Sequence, residues 1–141
     1  MIERTNVQIF VYTTKPTFKV LILKRIPEKS GYWQPPCGGV DEGELDTEAA
    51  IRELFEETGI VYKDEIIDLD YSFTYRESKN GILMNMKDIC FAAEVEELPK
   101  VELSHEHQKY RWCNEIEARE YLKWEHNLIA LDKLVDLVKD V

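Results

Sequence analysis

Short apolar runs from Val7 to Tyr12 and from Lys19 to Arg25 have the length and β-branched content of strands, with a turn around Lys15-Pro16-Thr17 between them. A connection rich in proline and glycine, from Pro27 to Gly39, then leads into a stretch with helical periodicity. Glu65 to Glu77 and Ile82 to Glu96 alternate, and Lys79-Asn80-Gly81 between them predicts a hairpin turn. Lys109 to Cys113 reads as a short strand, followed by a small helix opening at Asn114 or Glu115. A longer helix is expected from about Trp124 to Lys139, where Leu128, Leu131, Leu134, Val135 and Val138 form one apolar stripe for core or dimer packing.

The helix near residue 50 departs from an ordinary amphipathic pattern. With Glu53 set at 0° on a helical wheel, Glu57 falls at about 40° and Glu56 at about 300°. Ala50, Ile51, Leu54 and Phe55 take the arc of roughly 60° to 200°, which predicts the packing side. Asp46 or Thr47 is expected to cap the start, and Gly59 to end the helix in a left-handed conformation. Three carboxylates at these spacings repel one another. Arg52 is the only basic residue between Asp41 and Glu57, against eight acids. Clustered acids beside a glycine-rich loop are a place to hold a divalent cation, although an acidic helix face is more commonly just solvated.

Composition narrows the classes. A chain of 141 residues, 44% hydrophobic, suits one domain over residues 1–141 with one core. No apolar run approaches the roughly 20 residues needed to span a bilayer, so no membrane association is expected. Three cysteines without metal-ligand spacing fit reduced thiols, and with no leader-like pattern at the start they predict a cytoplasmic location. The net charge of −10 disfavours duplex nucleic acid as a partner. The same charge would repel a polyphosphate unless cations sit on the acids and invert the local field. Oxygen-only ligands favour Mg²⁺ or Mn²⁺ over zinc. His105 and His107 lack further zinc-ligand partners at suitable spacing and read as ordinary loop or strand-edge histidines.

The string GGVDEGELDTEAAIRELFEETGI resembles the signature of the Nudix hydrolases. Gly38 is followed after five residues by Glu44 and after seven more by Arg52-Glu53-Leu54, then by Phe55, Glu56-Glu57, Thr58, Gly59 and Ile60. The resemblance implies an α+β Nudix fold, an α/β/α sandwich around a mixed β-sheet. It also implies hydrolysis of a phosphoanhydride with Mg²⁺ or Mn²⁺ as cofactor. Glu56 and Glu57 would be metal ligands, Glu53 a ligand or the base, and Gly38 a carbonyl ligand. Gly39 and Gly59 would be structural, and Glu44 would brace the loop, acting through the Arg52 of the catalytic motif.

Outside the box, Glu106 in EHQKYRW resembles the acid that supplies a further ligand or the base in several Nudix subfamilies, with Glu102 as the fallback. Arg25 is a candidate phosphate grip. Trp33, Gln34 and Tyr75 are candidate substrate contacts, with Tyr32 as a rival stacking platform, although burial in the core suits any of these aromatics equally well. Trp33-Gln34 and the downstream segment resemble the dihydroneopterin triphosphate and dATP diphosphatases, whereas Pro35-Pro36-Cys37-Gly38-Gly39 resembles enzymes of dinucleoside polyphosphates or capped RNA ends. Tyr75 stands where a proline marks the ADP-ribose hydrolases. The expected partner is therefore a nucleotide or related polyphosphate, first a nucleoside triphosphate split to monophosphate and diphosphate. A dinucleoside polyphosphate or RNA 5′ end is the alternative substrate. A nucleotide-sensing module without turnover is the alternative of another class, and a homodimer is compatible with any of them.

Overall fold

A computed structural model describes residues 2–139 of the chain. In chain order it contains β1 (Ile2–Thr13), β2 (Lys19–Arg25), a 3-10 turn (Pro27–Lys29), β3 (Trp33–Gln34), β4 (Cys37–Gly39) and α1 (Asp46–Thr58). There follow β5 (Ile67–Lys79), β6 (Ile82–Glu94), β7 (His107–Cys113), α2 (Glu115–Tyr121) and α3 (Glu125–Lys139). Each expected element is present. β1 begins five residues before the apolar run, at Ile2 rather than Val7, because pairing with β6 carries its polar start. The connection expected from Pro27 to Gly39 contains two short strands, and the strand expected at Lys109 begins at His107.

The sheet has seven strands in the order β3-β2-β1-β6-β5, with β4 also paired to β1 and β7 to β2. Its one parallel pairing, β1 with β6, makes it mixed. Alternation along β1 sends Val7, Ile9 and Val11 to one face, against Ala49, Ala50 and Leu54 of α1. Phe10 and Tyr12 point to the other face, against Ala118 of α2 and Ala130, Leu131 and Leu134 of α3. Burying both faces is what makes the strand nearly continuously apolar. The α3 stripe is core: Leu131, Leu134 and Val135 are buried, with Leu128 and Val138 packed beside them. No helix among the described residues is long and apolar enough to cross a membrane.

One arrangement matters most for the site. β1 is long enough to be shared along one edge. β2 pairs with its end at Tyr12 and Thr13, and β4 with its middle at Asn6 to Gln8. The sheet therefore divides there, and α1 leaves from the β4 side of the division.

Candidate active site

Gly38 and Gly39 of β4 sit where any side chain would collide with another group. A Cβ on Gly38 would overlap the Glu53 carboxylate, and one on Gly39 would overlap the Arg4 guanidinium. The Glu53 carboxylate of α1 thus lies directly against Gly38, and a side chain there would force it to move.

Arg52 is the hub of this contact. Its Nε and Nη2 donate to both oxygens of Glu44 at 2.8 and 2.9 Å, a bidentate pair. Nη2 also donates to the Gly39 carbonyl at 2.8 Å, and Nη1 to Glu53 Oε1 at 2.8 Å and to Glu56 at 3.2 Å. Glu44 accepts the Asp41 N–H as well, which closes the loop. The Arg52 bonds, with the Asp41 bond second, hold the Glu44 carboxyl down at about 2. Glu44 thereby ties the loop to the helix.

The helix start differs from expectation. Asp46 and Thr47 lie inside the first turn, and the preceding residue is Leu45, which has no polar side chain. Glu48 reaches back to accept the Leu45 N–H at 2.9 Å instead. Gly59 does end the helix at φ 77°.

The packing side of α1 is also rotated from the expected arc. Phe55 is exposed, while Ala49, Ala50, Leu54, Glu57 and Thr58 are buried. On the same wheel these five span roughly 320° to 140°, an arc whose middle lies near Glu57. The three carboxylates are consequently graded. Glu56 is exposed, Glu53 mostly covered, and Glu57 only 5% exposed. Burial pushes the Glu53 carboxyl up to about 7; Arg52 opposes that shift and the charges of Glu56 and Glu57 add to it.

Glu57 Oε1 accepts the Cys37 N–H at 3.0 Å. Its Oε2 is buried and has no hydrogen-bonded partner, although His107 Nδ1 stands 2.9 Å away, off the alignment of a hydrogen bond. On the far side of that ring, Nε2 lies 3.2 Å from Gln34 Nε2. His107 is therefore not an ordinary edge residue: its side chain is 1% exposed and faces the box helix. Cys37 lies alongside, where burial first and Glu57 second push its thiol well up.

Among the described residues no three acidic, histidine or cysteine side chains already converge as a metal cage. The donor set nonetheless fits a hard divalent cation. Glu57 is a buried carboxylate with only His107 Nδ1 beside its Oε2, and Glu53, its neighbour on the helix face, is pushed up by burial and further by the charges of Glu56 and Glu57. Glu53, Glu56 and Glu57 are the side chains that would hold the ion.

The other candidate residues divide into two groups. Arg25 pairs in register with His107, donates to the Tyr32 hydroxyl at 3.0 Å and lies over that ring, so it stands at the site. Tyr32 in turn meets the exposed Trp124 edge-on at 5.7 Å. Gln34 points to His107, whereas Trp33 turns away and packs against Tyr121 at 5.2 Å. The Tyr75 hydroxyl donates to Asp88. Glu106 extends from the loop before β7, pairing with Lys29 at 3.4 Å, and no hydrogen bond or ion pair among the described residues joins it to the box carboxylates. Glu102 donates its backbone N–H to the Thr58 carbonyl at 2.7 Å, and its side chain approaches Lys100 at 3.8 Å.

Three of the buried polar residues carried no local motif: Asn6, Gln8 and Asp88. The signal available was a polar residue inside an apolar run, as in Asn6-Val7-Gln8-Ile9 and Met86-Lys87-Asp88-Ile89.

The family model described as the NUDIX domain matches residues 3–133. The asymmetrical bis(5′-nucleosyl)-tetraphosphatase of Rattus norvegicus is 38% identical over 105 residues, covering 72% of this chain and 69% of that protein. The RNA pyrophosphohydrolase of Pelagibacter ubique is 32% identical over 136 residues, covering 86% and 74%. Among solved structures, a binary complex of the Caenorhabditis elegans Ap4A hydrolase superposes with a TM-score of 0.76 at 27% identity, over 98% of this chain and 99% of that one. The chain spans less of some other curated relatives: 30% of an octanoyltransferase from Myxococcus xanthus and 58% of a tetraphosphatase from C. elegans.

Proposed function

The chain belongs to the Nudix family, and from that premise we propose that it hydrolyses a phosphoanhydride bond in a nucleoside 5′-polyphosphate. The observation that carries this is the carboxylate face of α1, on which buried Glu57 has one oxygen held by the Cys37 N–H and the other 2.9 Å from His107 Nδ1. Glu53 and Glu56 share that helix face, and the glycine of β4 lies against Glu53. When bound there, Mg²⁺ or Mn²⁺ supplies positive charge to the phosphate oxygens and activates water.

The chain's own groups do the rest. Arg52 fixes Glu53 and Glu56 relative to the loop, so the acids need little rearrangement when substrate enters. Glu53 either holds the cation or takes the proton of the attacking water, with Glu106 as the further candidate for that proton. Arg25, at the strand end beside His107, neutralises phosphate charge. The Tyr32 and Trp124 pair above it offers aromatic surface to a base.

Among substrates, a dinucleoside polyphosphate comes first. The tetraphosphatase likeness supports it, as does the Pro-Pro-Cys-Gly-Gly turn. A nucleoside triphosphate split to monophosphate and diphosphate is the second reading. It is favoured by the contact of Gln34 with His107, which joins the two segments that resemble triphosphate enzymes.

The test is a product screen with Mg²⁺ or Mn²⁺ over diadenosine tetraphosphate, nucleoside and deoxynucleoside triphosphates, dihydroneopterin triphosphate, ADP-ribose and 5′-triphosphate RNA. ATP plus AMP from the tetraphosphate is the expected result. Diphosphate from a single triphosphate, with the tetraphosphate untouched, would promote the second reading. Tight nucleotide binding without product from any of them would overturn the hydrolase reading in favour of a sensing module.

A further inference from the structure

The pairings of β2 bring two polar side chains to the α1 face of the sheet. Leu23 of β2 belongs to the core under α1, and Gln34 of β3 is its partner in register, so Gln34 shares that face. Trp33, one residue earlier, packs on the opposite core under α2 and α3. On the other side of β2, simple alternation along β7 would send His107 to the face of Cys113, which also lies in that opposite core. A β-bulge intervenes. Lys24 pairs with Lys109 but Arg25 with His107, so Gln108 is the extra residue and His107 is turned over to the α1 face. The bulge is what aims this ring at Glu57.

The ring is held between two groups. Its Nδ1 stands 2.9 Å from Glu57 Oε2, and both atoms are buried without a hydrogen-bond partner elsewhere among the described residues. A carboxylate only accepts, so a proton on Nδ1 is what lets the two sit this close. At the other end, Nε2 stands 3.2 Å from Gln34 Nε2. An amide nitrogen only donates, so Nε2 presents its lone pair and the ring carries its proton on Nδ1. The reverse tautomer would set lone pair against lone pair at Glu57. With both nitrogens engaged, His107 has none to lend a metal. Glu57 also accepts the Cys37 N–H on Oε1 at 3.0 Å. Its carboxylate is thus addressed at one oxygen from β4 and at the other from β7, which leaves about two of its four acceptor sites for a cation.

We propose that Gln34 and His107 are positioning residues for Glu57. Gln34 locks His107 as the Nδ1–H tautomer, and that N–H turns the free lone pairs of Glu57 toward the cation. Gln34 therefore acts on the metal site through His107 rather than by touching substrate. This deepens the proposed function and rests on the reading that Glu57 holds the divalent cation.

Two measurements test it without turnover. The first is long-range ¹H–¹⁵N NMR of the imidazoles, with the His107 signals assigned by their loss in His107→Phe. The wild-type protein is expected to show the neutral Nδ1–H pattern with and without Mg²⁺, and Gln34→Glu, which offers Nε2 an acceptor, is expected to protonate Nε2. A wild-type ring protonated on Nε2 alone would overturn the proposal, whatever the variants do to stability. The second is a double-mutant cycle in Mn²⁺ affinity. Gln34→Leu is expected to weaken binding by about tenfold in the wild type and to add nothing in His107→Phe. Unchanged affinity in a folded Gln34→Leu would overturn the proposal, and so would two losses that simply add. The two readings fail separately. The expected tautomer and coupling in a protein that hydrolyses nothing would sink the hydrolase, and turnover with the reverse tautomer would sink the lock.

Discussion

The two polar clusters of this molecule are built in opposite ways. Around Arg52, every partner lies within 13 residues along the chain, and the groups are charged and partly open to solvent. Around Asp88, the partners Asn6 and Gln8 are 82 and 80 residues away, Asn127 reaches Gln8 across 119 residues, and almost everything is buried. The first cluster is an assembly of one loop and one helix, stable as a local unit. The second exists only when β1, β5, β6 and α3 have met. Glu57 stands between them: it belongs to the local motif by position, yet it is buried, and its nearest side-chain neighbour is His107, 50 residues on.

The largest expected effect falls on that bridging residue. Glu57→Gln keeps the shape and removes one ligand charge. Its turnover with Mg²⁺ should drop by more than the ~100-fold that outer-shell changes around metals produce. Steady-state kinetics check this; a variant retaining most of its activity would move the metal off this face. Next comes the buried network. Asp88→Ala strips three donors of their acceptor and should cost about 2–4 kcal/mol of stability in a urea melt. A melt within 0.5 kcal/mol of wild type would mean the long-range cluster is not a structural unit.

His107→Phe keeps bulk but removes both ring nitrogens. It should weaken Mn²⁺ binding by about tenfold while leaving the secondary structure unchanged. Titration calorimetry reads this separately from activity, and unaltered affinity would reduce His107 to packing.

The carboxyls give a pH signature in the chelated protein. Glu53 has its carboxyl raised to about 7 when folded, against an ordinary value near 4.5. The folded state therefore binds more protons between these values, and Glu53 lowers stability as pH rises from about 4.5 to about 7. Glu44, held at about 2, works the other way: its contribution is present above about 4.5 and lost as pH falls toward 2. Melting temperatures across that range in chelator should show the Glu53 decline, and Glu53→Gln should flatten it. The smallest effect belongs to Phe55, exposed opposite the packed side of α1, where Phe55→Ser should change stability by less than about 0.5 kcal/mol.

The contrast between local and distant contacts also decides what could be read from sequence. The box, its carboxylates, the Glu44 brace and the Gly59 stop follow from spacings of a few residues and are all present. The rotation of α1 was not legible. The apolar Phe55 suggested a packing side, but the face that meets β1 is set by small Ala49 and Ala50, which let helix and sheet approach closely. The helix start was misplaced because Glu48, not a residue at the cap, meets the free N–H. The burial of His107 depends on the register of β7 against β2, and that of Asp88 on β6 lying between β1 and β5. No pattern within one segment encodes such pairings. A polar residue interrupting a buried strand is the trace they leave.

The most direct test of the account is Mn²⁺ binding, followed by electron paramagnetic resonance, in the wild-type protein and in Glu57→Gln and Glu56→Gln. A graded helix face predicts saturable binding by the wild type, a loss of at least tenfold for Glu57→Gln, and a smaller loss for the exposed Glu56→Gln. Equal affinity in the wild type and Glu57→Gln would contradict it, because the buried carboxylate would then not be where the cation sits.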